Sequence, residues 1–140
     1  MYAQPGERFS RHLTLDEHGI AQFARLTGDS NPLHHDREFA ETTRFGGIIA
    51  SGTHYTALLM GLAADHFSRR APAALGLEFA FGLRAPVQAG EPLELSWEVT
   101  AVEAKPRLAG AIVSLIGRIS DTQGRTLVEA TGKVLVAEKL

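Results

Sequence analysis

The sequence predicts an α+β fold, a single domain over residues 1–140 in which a curved antiparallel sheet wraps around a central apolar helix. Two observations point to it. Residues 57–64, "ALLMGLAA", carry no charge and are apolar or Gly at every helical angle; a helix that is apolar all round needs cover on all sides. After it the hydrophobic period changes from 3.6 to 2: Leu75, Leu77, Phe79, Phe81 and Leu83 alternate with Gly76, Glu78, Ala80, Gly82 and Arg84. That change marks the passage from helix to strand. A sheet curved round the helix supplies its apolar surroundings and buries one sheet face at the same time.

Taken in order, "RFSRHL" (8–13) reads as a short edge strand. Thr14 with Glu17 three residues later has the spacing of a capping box, which satisfies free N–H groups at a helix start. Ile20, Phe23, Ala24 and Thr27 then share one helical face, and Gly28 suits the exit. "DREFAETT" (36–43) reads as a second, shorter helix that Asp36 can cap. "FGGIIASG" leads into the apolar helix, whose polar residues collect at its ends: Thr53, His54, Tyr55 and Thr56 at the start, Asp65 and His66 at the finish. Among the strands, Leu93, Leu95, Trp97 and Val99 face one way, while "AGAIVSLIGRIS" (109–120) is apolar on both faces in its middle, as a central strand is. "TLVEATGKVLVA" completes the sheet, and "APVQAGEP", "AKPRL" and "DTQGR" carry the turn chemistry of short antiparallel links.

Length and charge narrow the function. At 140 residues the chain holds one domain, and a domain of this size buries roughly 68% of the surface its unfolded form exposes. Net charge is −2 with no Lys/Arg block, so no nucleic-acid partner is expected. With no cysteine there is no disulfide, thiolate metal site or Cys nucleophile. The opening "MYAQPGERFS" lacks an apolar signal core, and no apolar run approaches the ~18 residues of a membrane span. The expectation is a cytoplasmic protein with no membrane partner.

One stretch stands out. "TGDSNPLHHD" (27–36) combines turn formers with Asp29, His34, His35 and Asp36. The structural reading is an Asx-turn at Asp29, repeated at Asn31. Adjacent side chains point apart, so only one of His34 and His35 is expected to line a site, the other being solvated or paired with Asp36. A metal centre built on "HHD" is disfavoured because ligands need spacing that lets them converge; no metal and no cofactor is expected. His54 can face either cleft or core. His66 reads as a contact with the helix C-terminal dipole, and Tyr55 and Trp97 as core or pocket walls.

"DSNPLH" (29–34) has the form Asp-x-Asn-Pro-x-His and is followed by "D..FA..T.F" (36–45) and "IIASG" (48–52). This succession resembles the MaoC-like, R-specific enoyl-CoA hydratases of the hot-dog fold. "LRAPVQAGEPL" (83–93) is similar to the family's Pro-Val-x-x-Gly-Asp connection, with Glu91 for Asp. The resemblance implies Asp29 and His34 as the catalytic pair and Gly52 as the donor of a backbone N–H to a thioester carbonyl. It implies a substrate-lining set of Asn31, Ser51, Gly52, Thr53 and His54. The partners it implies are an acyl-CoA or acyl-carrier-protein thioester and a second copy of the chain, as a homodimer or a dimer of dimers. Two positions depart from the family pattern: Ser51-Gly52 stands where many members have His-Gly, and Ala57 where many carry a small hydroxyl residue.

The chemistry so implied needs these residue types. Adding water to a thioester-conjugated double bond requires a group that takes a proton from water and returns one to the α-carbon. Imidazole, with an ordinary pKa of about 6.5, suits that task. A carboxylate beside it fixes the water, and free N–H groups at a helix entry favour the charge that builds on the thioester oxygen. Pro32 fixes its own φ and holds Asn31 extended, so the turn is a rigid bracket for Asp29 and His34. Two other functions fit the same fold: a hot-dog thioesterase, and a non-catalytic acyl-CoA-binding module. Thioesterases of this fold commonly carry a carboxylate on the central helix, and Thr53–Ala64 has none.

Overall fold

A computed structural model describes residues 2–139. The elements run β1 (Arg8–Thr14), α1 (Glu17–Thr27), α2 (Arg37–Glu41), α3 (Gly52–Ser68), β2 (Ala73–Leu83), β3 (Pro92–Lys105), β4 (Gly110–Ser120) and β5 (Thr126–Ala137). The strands form one five-stranded sheet in the order β1-β3-β4-β5-β2, each neighbouring pair antiparallel. The doubly apolar β4 is central and β1 lies at an edge, as their sequences require. This is the α+β arrangement expected, with α3 against one face of the sheet.

The inner face is built by alternation. Leu93, Leu95, Trp97 and Val99 on β3, Val113, Leu115 and Ile119 on β4, and Val128 and Val134 on β5 are buried, and they form one cluster with Leu59, Leu62, Ala63 and Phe67 of α3. Each large side chain so buried contributes about 1.5–3 kcal/mol relative to exposure. Trp97 also keys the helix to the sheet, because its Nε1–H donates to the Leu59 carbonyl at 2.8 Å.

Three expectations are corrected. α1 is capped by Asp16, whose carboxylate accepts from the Gly19 N–H at 2.7 Å; Thr14 is held in β1, paired opposite Pro92. Sheet pairing of Thr14 removes it from the helix entry, and an Asp two residues on caps equally well. In β2 the strict alternation breaks at Leu77, where the register shifts between Gly76 and Glu78. This is a bulge on an edge strand, and it leaves Leu75 and Leu77 half-exposed. α3 is not wrapped on all sides: Ala57, Met60, Gly61 and Ala64 form an exposed apolar stripe. A five-stranded sheet covers one side of the helix, and the short α1 and α2 leave the rest open. His66 stands in the last turn of α3, as expected, and in addition its Nε2 meets Glu7 Oε2 at 2.6 Å and its ring stacks on Phe9 at 3.6 Å.

Candidate active site

The elbow between α1 and α2 is set by local backbone chemistry. Gly28 ends α1 in the left-handed region (φ 77°), where a side chain would be strained. The next N–H, of Asp29, still bonds back to Ala24 O at 2.8 Å. Asp29 Oδ1 then accepts from the Asn31 N–H at 3.1 Å, and Asn31 Oδ1 accepts from Leu33 N–H at 3.1 Å. Asn31 is extended (φ −56°, ψ 121°), as a residue before proline must be, and Pro32–His34 makes a single 3₁₀ turn. Both Asx-turns are therefore present, and they build the bracket.

The bracket leaves one carboxylate oxygen free. Asp29 Oδ2 lies 3.2 Å from His34 Nε2. His34 is buried while the Asp29 side chain keeps 33% of its surface, so the pair opens to solvent on the carboxylate side. The other ring nitrogen, Nδ1, meets the Ile49 carbonyl at 2.7 Å. A carbonyl only accepts, so Nδ1 carries a proton and Nε2 is the nitrogen free to take or give one. His35 turns away, as adjacent side chains do, and stays partly exposed; instead of pairing with Asp36, its Nε2 donates to the Asp29 carbonyl at 2.8 Å. That bond is a third strut on the elbow.

The Ile49 carbonyl also locates the start of α3, three residues on. Ile49 N–H donates to Leu33 O at 3.2 Å and Ala50 N–H to Val87 O at 2.8 Å, so the helix entry is tied both to the elbow and to the β2–β3 connection. Ser51 is the N-cap but its side chain makes no cap bond; it is buried and accepts from Thr53 Oγ1 at 3.3 Å. The first amides of α3 consequently have no capping side chain, the condition of a helix N-terminus open to a ligand oxygen. A Cβ on Gly52 would sit 2.9 Å from Leu83 Cδ1, the end of an exposed side chain that would have to swing aside.

The sequence model of the MaoC-like domain family matches residues 3–114. The chain belongs to the MaoC-like domain family. It is 38% identical over 118 residues to the (R)-specific enoyl-CoA hydratase of Aeromonas caviae, covering 84% of this chain and 81% of that one. It is 30% identical over 115 residues to the 3-hydroxybutyryl-CoA dehydratase of Methylorubrum extorquens, covering 81% and 72%. Its structure superposes on the solved (R)-hydratase from A. caviae with a TM-score of 0.85 at 27% identity, over 96% of this chain and 97% of that one. The hot-dog fold expected from the motifs is the fold of this chain.

Within the MaoC-like frame, the remaining expected site residues divide. Gly52 and Ser51 stand at the helix mouth, half-buried and buried, and Thr53 is exposed beside them. Asn31 spends its side-chain oxygen on the bracket. His54 faces α1: its ring stacks on Phe23 at 4.4 Å with 4° between planes, and its buried Nδ1 has no partner among the described residues. Burial holds the His54 pKa below its ordinary value. The hydroxyl of Thr56, next to the departing Ala57, donates to the Gly52 carbonyl at 2.7 Å. Three contributors escaped the sequence reading. The Ile49 carbonyl carries no side-chain signal at all, Phe23 read only as an apolar-face residue, and Leu83 read only as one more inward strand position. Among the described residues no group of three His, Cys, Asp or Glu converges as a metal site, and no helix is long and apolar enough to cross a membrane.

Proposed function

We propose that this protein is a hydro-lyase that adds water reversibly to a 2-enoyl-CoA thioester to give the (3R)-3-hydroxyacyl-CoA. The observation that carries the proposal is the Asp29 Oδ2–His34 Nε2 contact at 3.2 Å with Nδ1 committed to Ile49 O. The free nitrogen and the carboxylate thus converge on one spot, where a water would meet both. The enoyl-CoA hydratase and hydroxybutyryl-CoA dehydratase relatives support the substrate class.

In this reading His34 Nε2 takes a proton from the water as its oxygen bonds to C3 of the substrate. The C2–C3 π electrons move toward the thioester, whose oxygen gains negative charge and is met by the Gly52 amide. Asp29, at contact distance, offsets the positive charge on the imidazolium. The proton then passes to C2, and the pair returns to its starting state. Positioned acid–base groups of this kind contribute about 10²–10⁴-fold.

The substrate-holding unit of this reading is a pair of chains. The exposed stripe Ala57, Met60, Gly61 and Ala64 and the half-exposed Leu75, Leu77 and Leu83 of edge strand β2 support a second copy as the cover. The test of function is a panel of enoyl-CoA chain lengths, followed by loss of the conjugated enoyl absorbance with chiral analysis of the product. Hydration to the 3R product is expected. Release of free thiol with the absorbance unchanged would instead mark a thioesterase, and binding without either change a non-catalytic module.

A further inference from the structure

We propose that the Tyr55 hydroxyl is a second hydrogen-bond donor to the substrate's thioester oxygen, acting beside the amide of Gly52. The inference rests on the hydratase reading and deepens it.

Tyr55 lies three residues after Gly52 on α3, so the two share a helix face. Its side chain is 95% buried by the 5% exposure that remains, and its ring belongs to the main apolar cluster. Buried tyrosines ordinarily satisfy their hydroxyl. Here no described residue hydrogen-bonds Tyr55 Oη, and the atom is not sealed from solvent. Its position is known from Gly52: the oxygen lies 3.8 Å from where a Cβ on that residue would stand. The hydroxyl therefore reaches the helix mouth beside Gly52, next to the exposed side chain of Leu83.

Two neighbouring hydroxyls are already committed. Thr56 Oγ1 is bound to the Gly52 carbonyl, Thr53 Oγ1 donates to Ser51 Oγ, and Ala57 has none to offer. Burial also pushes the Tyr55 pKa above its ordinary value, so at neutral pH the phenol is protonated and can donate. A rigid ring packed in the core brings that donor to the site without reorganisation, which is what stabilising a developing oxyanion requires.

The test is Tyr55→Phe, which removes one oxygen and keeps the ring. With no intramolecular partner to lose, the variant is expected to melt at or above the wild-type temperature. Its kcat for enoyl-CoA hydration is expected to fall about a hundredfold, the scale of losing one oxyanion donor, with little change in KM. A second readout uses Asp29→Asn enzyme to hold enoyl-CoA unreacted: polarisation of the bound enoyl thioester red-shifts its absorbance, and adding Tyr55→Phe is expected to shrink that shift. Turnover within twofold of wild type, an unchanged spectral shift, or a kcat loss that merely tracks a lower melting temperature would each overturn the assignment. If wild-type enzyme itself fails to hydrate any enoyl-CoA, it is the hydratase reading that falls, and with it this one.

Discussion

Replacing Asp29 by Asn separates the acid–base pair from the bracket that carries it. Asparagine keeps Oδ1, and with it the bond from Asn31 N–H at 3.1 Å that shapes the elbow. The other carboxylate oxygen becomes an NH₂ group 3.2 Å from His34 Nε2. That group donates to the lone pair the ring would use on water, while Nδ1 stays on Ile49 O. The Nε2 lone pair is thus blocked, in an undisturbed frame. Loss of the positioned pair predicts a kcat about 10²–10⁴-fold lower, equivalent to roughly 3–5 kcal/mol of transition-state stabilisation. Stability changes far less: the altered contact is to a carboxylate one-third exposed, an ion pair worth about 1 kcal/mol or less. His34→Ala is the poorer probe, since it removes a buried ring and orphans the Ile49 carbonyl, costing about 2–4 kcal/mol of folding free energy as well. The assay is the initial rate of enoyl-thioester absorbance loss, beside thermal unfolding of the same samples. Asp29→Asn that keeps its fold and more than about a tenth of the wild-type kcat would refute the role given to the pair.

Other perturbations test the frame. Gly117→Ala on β4 would place a Cβ 2.5 Å from the Trp97 ring, which is fully buried and tied to Leu59 O; overpacking of this kind costs about 1–3 kcal/mol. Denaturant unfolding should show that cost shrink in a Trp97→Phe background, and equal costs in both backgrounds would exclude the clash as its cause. Because burial depresses the His54 pKa, the unfolded chain binds this proton more readily than the folded one. Its contribution to stability is therefore full above about pH 6.5 and is lost as pH falls below that value. His54→Phe, which keeps the stack on Phe23, is expected to melt with a weaker pH dependence on the acid side; an identical dependence would show that His54 is not the group responsible. Met60→Glu places a charge in the exposed stripe of α3 and is expected to convert a dimer to monomer in sedimentation velocity, a result that a monomeric wild type would make moot by disproving the dimer.

How far the sequence carried this protein depends on the range of each interaction. The uncharged run at 57–64 and the later alternation of period 2 are statements about neighbours in the chain, and they determined a helix packed on an antiparallel sheet with β4 at its centre. The spacing of Asp29, Asn31, Pro32 and His34 is equally local, and within six residues it specifies two Asx-turns and a 3₁₀ turn. Capping was legible in kind but shifted by two residues, because Thr14 had a competing place in the sheet.

Tertiary structure decided what those local pieces meet. The His34 proton partner is a main-chain carbonyl fifteen residues away, invisible to any reading of side chains. His54 could face cleft or core by its helical position alone, and the stack on Phe23 of α1 settled it. The register shift at Leu77 is set by pairing with β5, far off in the chain, and the open stripe on α3 by how much of the helix a single sheet can cover. Local rules choose backbone conformation within a turn or two of chain; which backbone oxygen, ring or bare surface then lies opposite is a property of contacts closed across the whole domain.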